Sequence, residues 1–425
     1  MTGPRASDGL RAVLLPVSAL LASVVLLVLG NGLQGTLLGV RAGFEGMGAT
    51  TVGVIMSAYF FGYLFGSLHS PAMVARVGHI RTFSALASIT SAVALAHAIA
   101  PTAAVWTVLR AAHGFCYAGL VLVIESWLNG STTRRFRGRV LAVYGTAVSA
   151  SWALSQALLI LAPAAEFVLF AAVSILMSLA LVPISLARVS TPSVVETPRM
   201  GIAHLYRTSP SGVVGVAAVG FCLSAFTGLA PVSGQQSGWT EGRIALFMTA
   251  WLLGALLMQW TLGSLSDRVD RRWVIAGASL ASAGWALALG LGPHLGTPVG
   301  AGAPVAATVA LVFAYGGFSL PVYSICVAHA NDLIAEHELL PAASALLLVF
   351  GAGSIAGPLA AGAATRAFGP PGLFVLLGAV HVLAAAFVLQ RMPRRARVPA
   401  EEKEPFVPVP RTTPVILRLD ERGGD

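Results

Sequence analysis

Arg110 is the charged side chain that lies deepest within a long apolar run of the sequence, residues 103–126. If that run crosses a bilayer, a charge there costs about 2.5–3.5 kcal/mol, so it needs a water-filled cavity or a partner. Arg110 is therefore predicted either to hold an anionic ligand group or tune the protonation of a neighbour, or else to bond the carbonyls of an adjacent helix. His113, one turn on, is either a proton-responsive group, because imidazole titrates near neutral pH, or a packing residue.

Polar and aromatic side chains in other apolar runs extend this set. Asn31 and Gln34 lie three residues apart and so share a helical face. Two unpartnered amides facing lipid would be costly, so they either line a cavity or hydrogen-bond between helices. Tyr117 and Tyr323 occupy matching positions in two runs, and they either form walls for a ligand with an apolar part or pack in the core. The predicted binding residues are thus Asn31, Gln34, Arg110, His113, Tyr117 and Tyr323.

The composition requires helices that position these residues in lipid. The chain has 425 residues, of which 10% are charged and 56% hydrophobic, with a mean hydropathy of +0.81. A soluble domain of ordinary composition carries about 25% charged residues. Disorder, collagen and disulfide scaffolds are excluded by the same numbers, and the three cysteines lie in apolar runs where they behave as small hydrophobes.

Twelve apolar runs have about the 20 residues needed to cross a bilayer core, and none alternates as barrel strands do. They lie at 12–40, 50–75, 82–100, 103–126, 139–162, 166–187, 212–234, 243–265, 273–291, 304–330, 341–364 and 371–390. The first is too long for a signal peptide, so we expect it to be retained. The predicted fold class is an all-α polytopic membrane protein with twelve transmembrane helices in two six-helix halves.

The basic residues orient these helices. With the N-terminus in the cytoplasm, 22 of the 26 Lys and Arg residues fall on the cytoplasmic side, against three outside (Arg41, Arg243, Arg366) and Arg110 within the membrane. The net charge of +9 is therefore a topology signal that favours anionic lipid over nucleic acid as its partner. We expect a multi-pass protein of the cytoplasmic (inner) membrane with both termini in the cytoplasm.

Linkers and an internal repeat divide the chain. The predicted parts are a cytoplasmic N-terminus (1–11), an N-terminal six-helix bundle (12–187), a cytoplasmic linker (188–211), a C-terminal bundle (212–390) and a disordered tail (391–425). The tripeptide GSL recurs at 66–68 and 263–265, each at the cytoplasmic end of the second run of its half. Paired halves of this kind are typical of transporters.

The segment GSLSDRVDRR at 263–272 has a Gly, three residues, an Asp-Arg pair, a spacer and a basic pair, whereas GSLHSPAMVARVGHIR at 66–81 keeps the Gly and Arg residues without the Asp. The first segment resembles the loop motif of the major facilitator superfamily of secondary transporters, and the resemblance covers residues 12–390. LRAAHGFCYAG at 109–119 resembles the fourth-span pattern. ESWLN (125–129), RGRVLAVY (137–144) and HANDL (329–333) with GAGSIAGPLAAG (351–362) resemble the YcaD-like branch, whose cargo the resemblance does not name.

The resemblance also implies a cytoplasmic gate. In the superfamily the Asp that matches Asp267 approaches the start of span five in the other half, which here carries Arg137 and Arg139. Glu125 is expected to pair with Arg76 or Arg81, and Asp332 and Glu336 with Arg271 or Arg272. The alternative for each is a solvated loop charge worth at most about 1 kcal/mol. The predicted gating residues are Asp267, Arg268, Arg271, Arg272, Arg76, Arg81, Glu125, Arg137, Arg139, Asp332 and Glu336.

These features predict a monomeric secondary transporter that moves a small-molecule cargo by alternating access, coupled to an ion gradient, with a proton as the coupling ion that the family suggests. An amphipathic or anionic cargo is the expectation for the substrate, and both efflux and uptake stay open as the direction. No cofactor or metal is expected. A non-transporting receptor or scaffold on the same fold is the alternative, and a polytopic enzyme is third because HExxH, GxSxG and GxxxxGK[ST] are absent from the sequence.

Overall fold

The computed structural model describes residues 6–132, 136–186, 200–291, 304–394 and 396–407. Long helices make up most of these ranges, which contain no strand. Twelve helical segments within them are long and apolar enough to cross a membrane. The predicted all-α polytopic class is confirmed.

The helices form two sets. The N-terminal set is α1 (Ala6–Phe44), α2 (Ala49–Val77), α3 (His79–Ile99), α4 (Ala103–Gly130), α5 (Arg137–Ala157), α6 (Val168–Leu179) and α7 (Leu181–Leu186). A short helix, α8 (Ile202–Thr208), precedes the second set. That set is α9 (Pro210–Gln236), α10 (Glu241–Arg268), α11 (Arg271–Leu291), α12 (Val305–Ser319), α13 (Val322–Asn331), α14 (Leu339–Phe368) and α15 (Pro371–Arg391). The tenth span is broken between α12 and α13, where Pro321 lacks the N–H that a continuous helix would use.

The two halves repeat one packing scheme. The second span of each half packs on the fourth, α2 on α4 and α10 on α12, and the third packs on the sixth, α3 on α6 and α11 on α15. Glycine allows the closest of these crossings. A Cβ atom at Gly62 would overlap the backbone carbonyl of Ala111, and one at Gly254 would overlap that of Phe313. The halves are therefore pseudo-symmetric in their contacts as well as in their sequence.

We call the membrane side that holds residues 392–407 the terminal face, and the other side the opposite face. The halves meet along α2 with α14, α1 with α9, and α5 with α10. Three contacts between residues of the two halves lie nearer the opposite face. The Ala164 N–H, after α5, donates to Glu241 Oε1 at 2.7 Å, and Ser57 Oγ donates to the Ile355 carbonyl at 2.6 Å. The rings of Trp152 and Trp251 are 6.4 Å apart. The halves are thus joined on the opposite face.

The tail departs from the sequence prediction of disorder from residue 391. Residues 392–394 and 400–402 form short 3-10 helices. Phe406 is buried, and its ring occupies the space beside Gly263 where a Cβ would otherwise lie. Part of the tail is therefore packed on α10, because an aromatic ring finds an apolar position there. Residues 408–425, and 188–199 of the predicted linker, lie outside the described residues.

Candidate functional site

Arg110 lies in α4 with its side chain almost fully buried, 4% exposed. Its guanidinium carbon is 4.3 Å above the ring centre of Tyr59 on α2, a cation–π contact. Its Nε and one terminal nitrogen have no hydrogen-bond partner among the described residues. A buried guanidinium with unused donors is an incomplete site for an anion, because arginine binds carboxylate and phosphate oxygens through paired N–H groups.

Asn31 on α1 joins the helices around Arg110. Its Oδ1 accepts the Tyr59 hydroxyl at 3.2 Å and lies 3.1 Å from His113 Nε2. A carbonyl oxygen has two lone pairs, so both bonds form at once when His113 donates from Nε2. Residues from α1, α2 and α4 are thereby held together, and we call Asn31, Tyr59, Arg110, His113 and Tyr117 the Arg110 cluster.

Several buried polar atoms around this cluster lack protein partners. Besides the two Arg110 nitrogens, they are His113 Nδ1, Gln34 Oε1 and His97 Nε2, all within the described ranges. With His113 donating from Nε2, its Nδ1 is an acceptor, and the same holds for His97 Nε2 when Nδ1 donates to the Val93 carbonyl. Buried donors and acceptors that both lack protein partners indicate a space in which water or a ligand makes the missing hydrogen bonds.

Tyrosine rings extend the cluster along α2 and α4. The rings of His113 and Tyr117 stack at 6.2 Å, and Tyr63 lies 6.4 Å from Tyr117. In the other half, Tyr323 packs edge-on against Phe350 at 5.3 Å. The surface beside Arg110 is thus aromatic, and it suits a ligand that has an apolar part next to its charge.

The predicted binding residues divide into three groups. Asn31, Arg110, His113 and Tyr117 lie together, whereas Tyr323 is in the second half. Gln34 is fully buried, and its amide nitrogen is 3.5 Å from His97 Nδ1 on α3. Because that Nδ1 donates to the Val93 carbonyl, the contact joins two donors, and Gln34 lies against α3 without a hydrogen bond to His97. Sequence reasoning missed Tyr59 and Tyr63. Their spacing of four residues on one face of α2 is the signal that could have found them.

The charge of Arg110 is not balanced by a nearby acid. None of the ion pairs among the described residues includes it. Glu125, on the same helix, is fifteen residues away, or about 22 Å at 1.5 Å per residue. It is fully buried and accepts the Tyr144 hydroxyl at 2.6 Å. The cluster therefore carries net positive charge within the bundle.

Arg271 forms the centre of a second polar group, on the terminal face. It is 1% exposed and binds Asp332 through two nitrogens, at 2.7 and 3.3 Å. Another nitrogen donates to Asp267 Oδ1 at 3.0 Å. The neighbouring Arg272 pairs with Asp270 at 2.6 Å. The contact expected between Asp332 and Arg271 is therefore present, and the loop motif at 263–272 is held within its own half.

Asp267 does not make the contact expected with the start of span five. Its Oδ2 accepts the backbone N–H of Phe406 at 3.1 Å, and its Oδ1 faces Arg271. Arg139 is exposed, and none of the ion pairs described for the chain includes it. The side chain of Arg137 lies outside the described residues. The tail therefore binds the Asp267 carboxylate, which was expected to contact the start of span five.

Other expected pairs also differ. Glu125 was expected to meet Arg76 or Arg81, but those arginines are exposed and take part in no ion pair that the structure describes. The depth of Glu125 inside α4 explains this, because it places the carboxylate beside Tyr144. Arg268 is exposed, and the side chain of Glu336 lies outside the described residues. In the described ranges no three His, Cys, Asp or Glu residues are grouped as metal ligands.

Comparisons with known proteins agree with this geometry. The sequence profile of the Major Facilitator Superfamily matches residues 15–240 and 212–419. An uncharacterized MFS-type transporter of Enterobacter sp. (strain 638) is 25% identical over 378 residues, covering 88% of this chain and 96% of its own. The uncharacterized MFS-type transporter YcaD of Escherichia coli O6:K15:H31 is 26% identical over 377 residues, 88% of this chain and 95% of that protein.

Solved structures share the fold. The nucleoside transporter NupG superposes with a TM-score of 0.70 at 11% identity, covering 88% of this chain and 98% of that one. A bacterial homolog of the human lysosomal transporter Spinster, inward-facing and occupied, gives a TM-score of 0.73 at 15% identity, covering 91% and 98%. With twelve apolar helices in two pseudo-symmetric halves and a profile match along most of its length, the chain belongs to the Major Facilitator Superfamily of membrane transporters and is similar to its YcaD-like members.

Proposed function

We propose that this transporter moves an amphipathic small anion, and that Arg110 binds the anionic group. The observation that carries this proposal is the buried guanidinium of Arg110, which has two nitrogens without a hydrogen-bond partner and no ion pair with an acid among the described residues. Tyr59, Tyr63 and Tyr117 supply an aromatic surface for the apolar part of the cargo. Because the protein has already desolvated the cation, binding requires the desolvation of the anion alone.

Transport by alternating access requires the two halves to rock between two closures. The contacts of Glu241 and Ser57 join the halves on the opposite face, while a Cβ at Gly138 or Gly145 in the terminal half of α5 would meet no described atom within 4 Å outside its own stretch of helix. We propose that this state is open to the terminal face and that this face is the cytoplasmic one, which the excess of basic residues there supports. Closure there would bring Asp267 to the start of α5 after Phe406 leaves it.

Proton coupling is proposed through His113, which lies one turn from Arg110. Its Nδ1 has no partner in the part of the chain that the structure describes, and so it can take a proton without breaking the bond from Nε2 to Asn31. A bound anion would supply the negative charge that makes a second cation beside Arg110 acceptable. Cargo and proton would then bind together and cross together, and the direction of the gradient would set uptake or efflux.

Purified protein in proteoliposomes that contain a pH-sensitive dye tests this function. We expect a panel of amphipathic organic acids to include at least one that moves and carries protons with it. Arg110→Ala should reduce its initial rate by at least about tenfold, since a charge-assisted hydrogen bond contributes about 1.5–3 kcal/mol. An Arg110→Ala protein that moves the same acid at the wild-type rate would rule out the proposed role.

The remaining proposals concern the setting of the molecule. We propose a monomer in the cytoplasmic membrane, with both termini in the cytoplasm and without enzymatic activity. A receptor or scaffold on this fold is the competing function, and the same proteoliposomes separate the two. A receptor would bind an acid in equilibrium measurements, yet the acid would not enter the vesicles.

A further inference from the structure

A cavity of about 170 Å³ opens on the terminal face of the C-terminal half. It lies where α8, the start of α11 and the ends of α13 and α15 meet, and Ala396, Val398 and Lys403 of the tail form one side. A cavity needs roughly 10–15 Å³ to hold one water molecule. This space therefore has room for a small polyatomic group, in a different half of the molecule from Arg110.

The walls of this cavity are strongly basic. Its lining includes six cationic side chains: Arg207, Arg271, Arg272, Arg391, Arg394 and Lys403. Two acids, Asp270 and Asp332, line it as well. Both are already engaged, Asp332 with Arg271 at 2.7 Å and Asp270 with Arg272 at 2.6 Å. Four cations thus remain around the space.

None of these four forms an ion pair with a described residue. Arg391 reaches the Tyr206 hydroxyl at 3.4 Å, and the Lys403 ammonium donates to the Ser266 carbonyl at 3.3 Å. Burial and the nearby Arg271 guanidinium lower the pKa of Lys403 below its ordinary value, although three aspartates oppose this. The cavity therefore has a positive potential that its own acids do not cancel.

We propose that this cavity binds a phosphate-bearing anion. Guanidinium groups match phosphate oxygens in geometry, and three of the four remaining cations are arginines. Trp273, in the first turn of α11, is 61% exposed, as expected for a side chain at the level of lipid headgroups. The phosphate could therefore belong to an anionic phospholipid or to a soluble molecule. Either would join α8, α15 and the tail around the Asp267 loop.

Two binding measurements distinguish these sources. In the first, full-length protein in nanodiscs of phosphatidylcholine alone is titrated with radiolabelled inorganic phosphate. In the second, protein from nanodiscs of phosphatidylcholine and phosphatidylglycerol is analysed by native mass spectrometry for retained phosphatidylglycerol. Binding in the first assigns the site to a soluble phosphate, and retention in the second assigns it to lipid. Neither measurement needs the cargo, so failure here leaves the proposed transport untouched.

Three variants that each remove one positive charge show whether the bound anion lies in this cavity. Arg394→Gln and Arg207→Gln each remove one lining cation, from different elements, and both side chains are exposed, so the fold should tolerate them. Each should weaken phosphate binding or phosphatidylglycerol retention about tenfold. The control Arg397→Gln makes the same change at an exposed residue outside the lining and should leave binding unchanged. Equal losses in all three variants, or no binding in either measurement, would overturn the proposal.

Discussion

At the scale of single residues, the Arg110 cluster is a site whose protein contacts are incomplete. Asn31 fixes Tyr59 and His113, and Tyr59 in turn lies under the guanidinium. Among the described residues, the positive charge of Arg110 has no ion-pair partner and two of its nitrogens have no hydrogen-bond acceptor. An added carboxylate of the protein itself should therefore compete with an anionic cargo.

The variant Asn31→Asp supplies such a carboxylate with almost no change of shape. We expect it to lower the apparent affinity for the transported acid at least about tenfold, because Arg110 would gain an internal counter-ion. Competition by the unlabelled acid in a binding assay measures this. The matched control Gln259→Glu places the same charge in the other half, beside Ser324, and should bind like the wild type. Equal affinity for Asn31→Asp would show that cargo does not reach Arg110.

His113 gives a separate prediction about coupling. His113→Gln cannot take a proton, yet its amide can still donate to Asn31. We expect accumulation driven by a pH gradient to disappear, while exchange of cargo between two sides at equal pH continues. His381→Gln is the control, because His381 is also buried with an unpartnered Nε2 but lies on α15. Gradient-driven accumulation that survives in His113→Gln would assign the proton to another group.

At the scale of elements, the tail and α10 share one contact. The Phe406 N–H donates to Asp267 Oδ2 and the Phe406 ring covers Gly263, so the tail holds the loop that we propose to close against α5. The position of the tail should therefore bias the equilibrium between the two closures.

Phe406→Ala tests this bias. Loss of a buried aromatic side chain should release the tail and raise the population closed on the terminal face. Ser149→Cys, an exposed polar position at mid-membrane on α5, serves as a reporter in a variant without the three native cysteines, which are buried. Labelling of this introduced thiol by a reagent supplied on the terminal face should slow in Phe406→Ala. Val407→Ala, next to it and only half-buried, is the control.

At the scale of the whole molecule, the sequence predicted the features that follow from its composition and from the length and spacing of its apolar runs. Twelve apolar runs and the excess of basic residues on one side specify a bundle of two halves, and the loop motif at 263–272 indicates the superfamily. The partners of individual charges could not be predicted in this way. Asp267 accepts the backbone N–H of Phe406, which lies 139 residues later in the chain. The Phe406 ring packs beside Gly263 and so brings this N–H to the carboxylate, and no local sequence pattern encodes that contact.

In the proposed alternation between two closures, Glu241 and Asp267 should bias the equilibrium in opposite directions. Glu241 accepts the Ala164 N–H across the halves at 2.7 Å, so Glu241→Gln should weaken closure of the opposite face by up to about tenfold. Asp267→Asn should weaken closure of the terminal face instead, provided that the tail is removed by truncation after residue 399. In the Ser149→Cys background, labelling from the terminal face should fall in the first variant and rise in the second.

Because the sites lie on opposite faces without a shared partner, the double variant should show the sum of the two effects in free energy. A double variant that matches either single one would mean that the two faces do not belong to a common two-state motion.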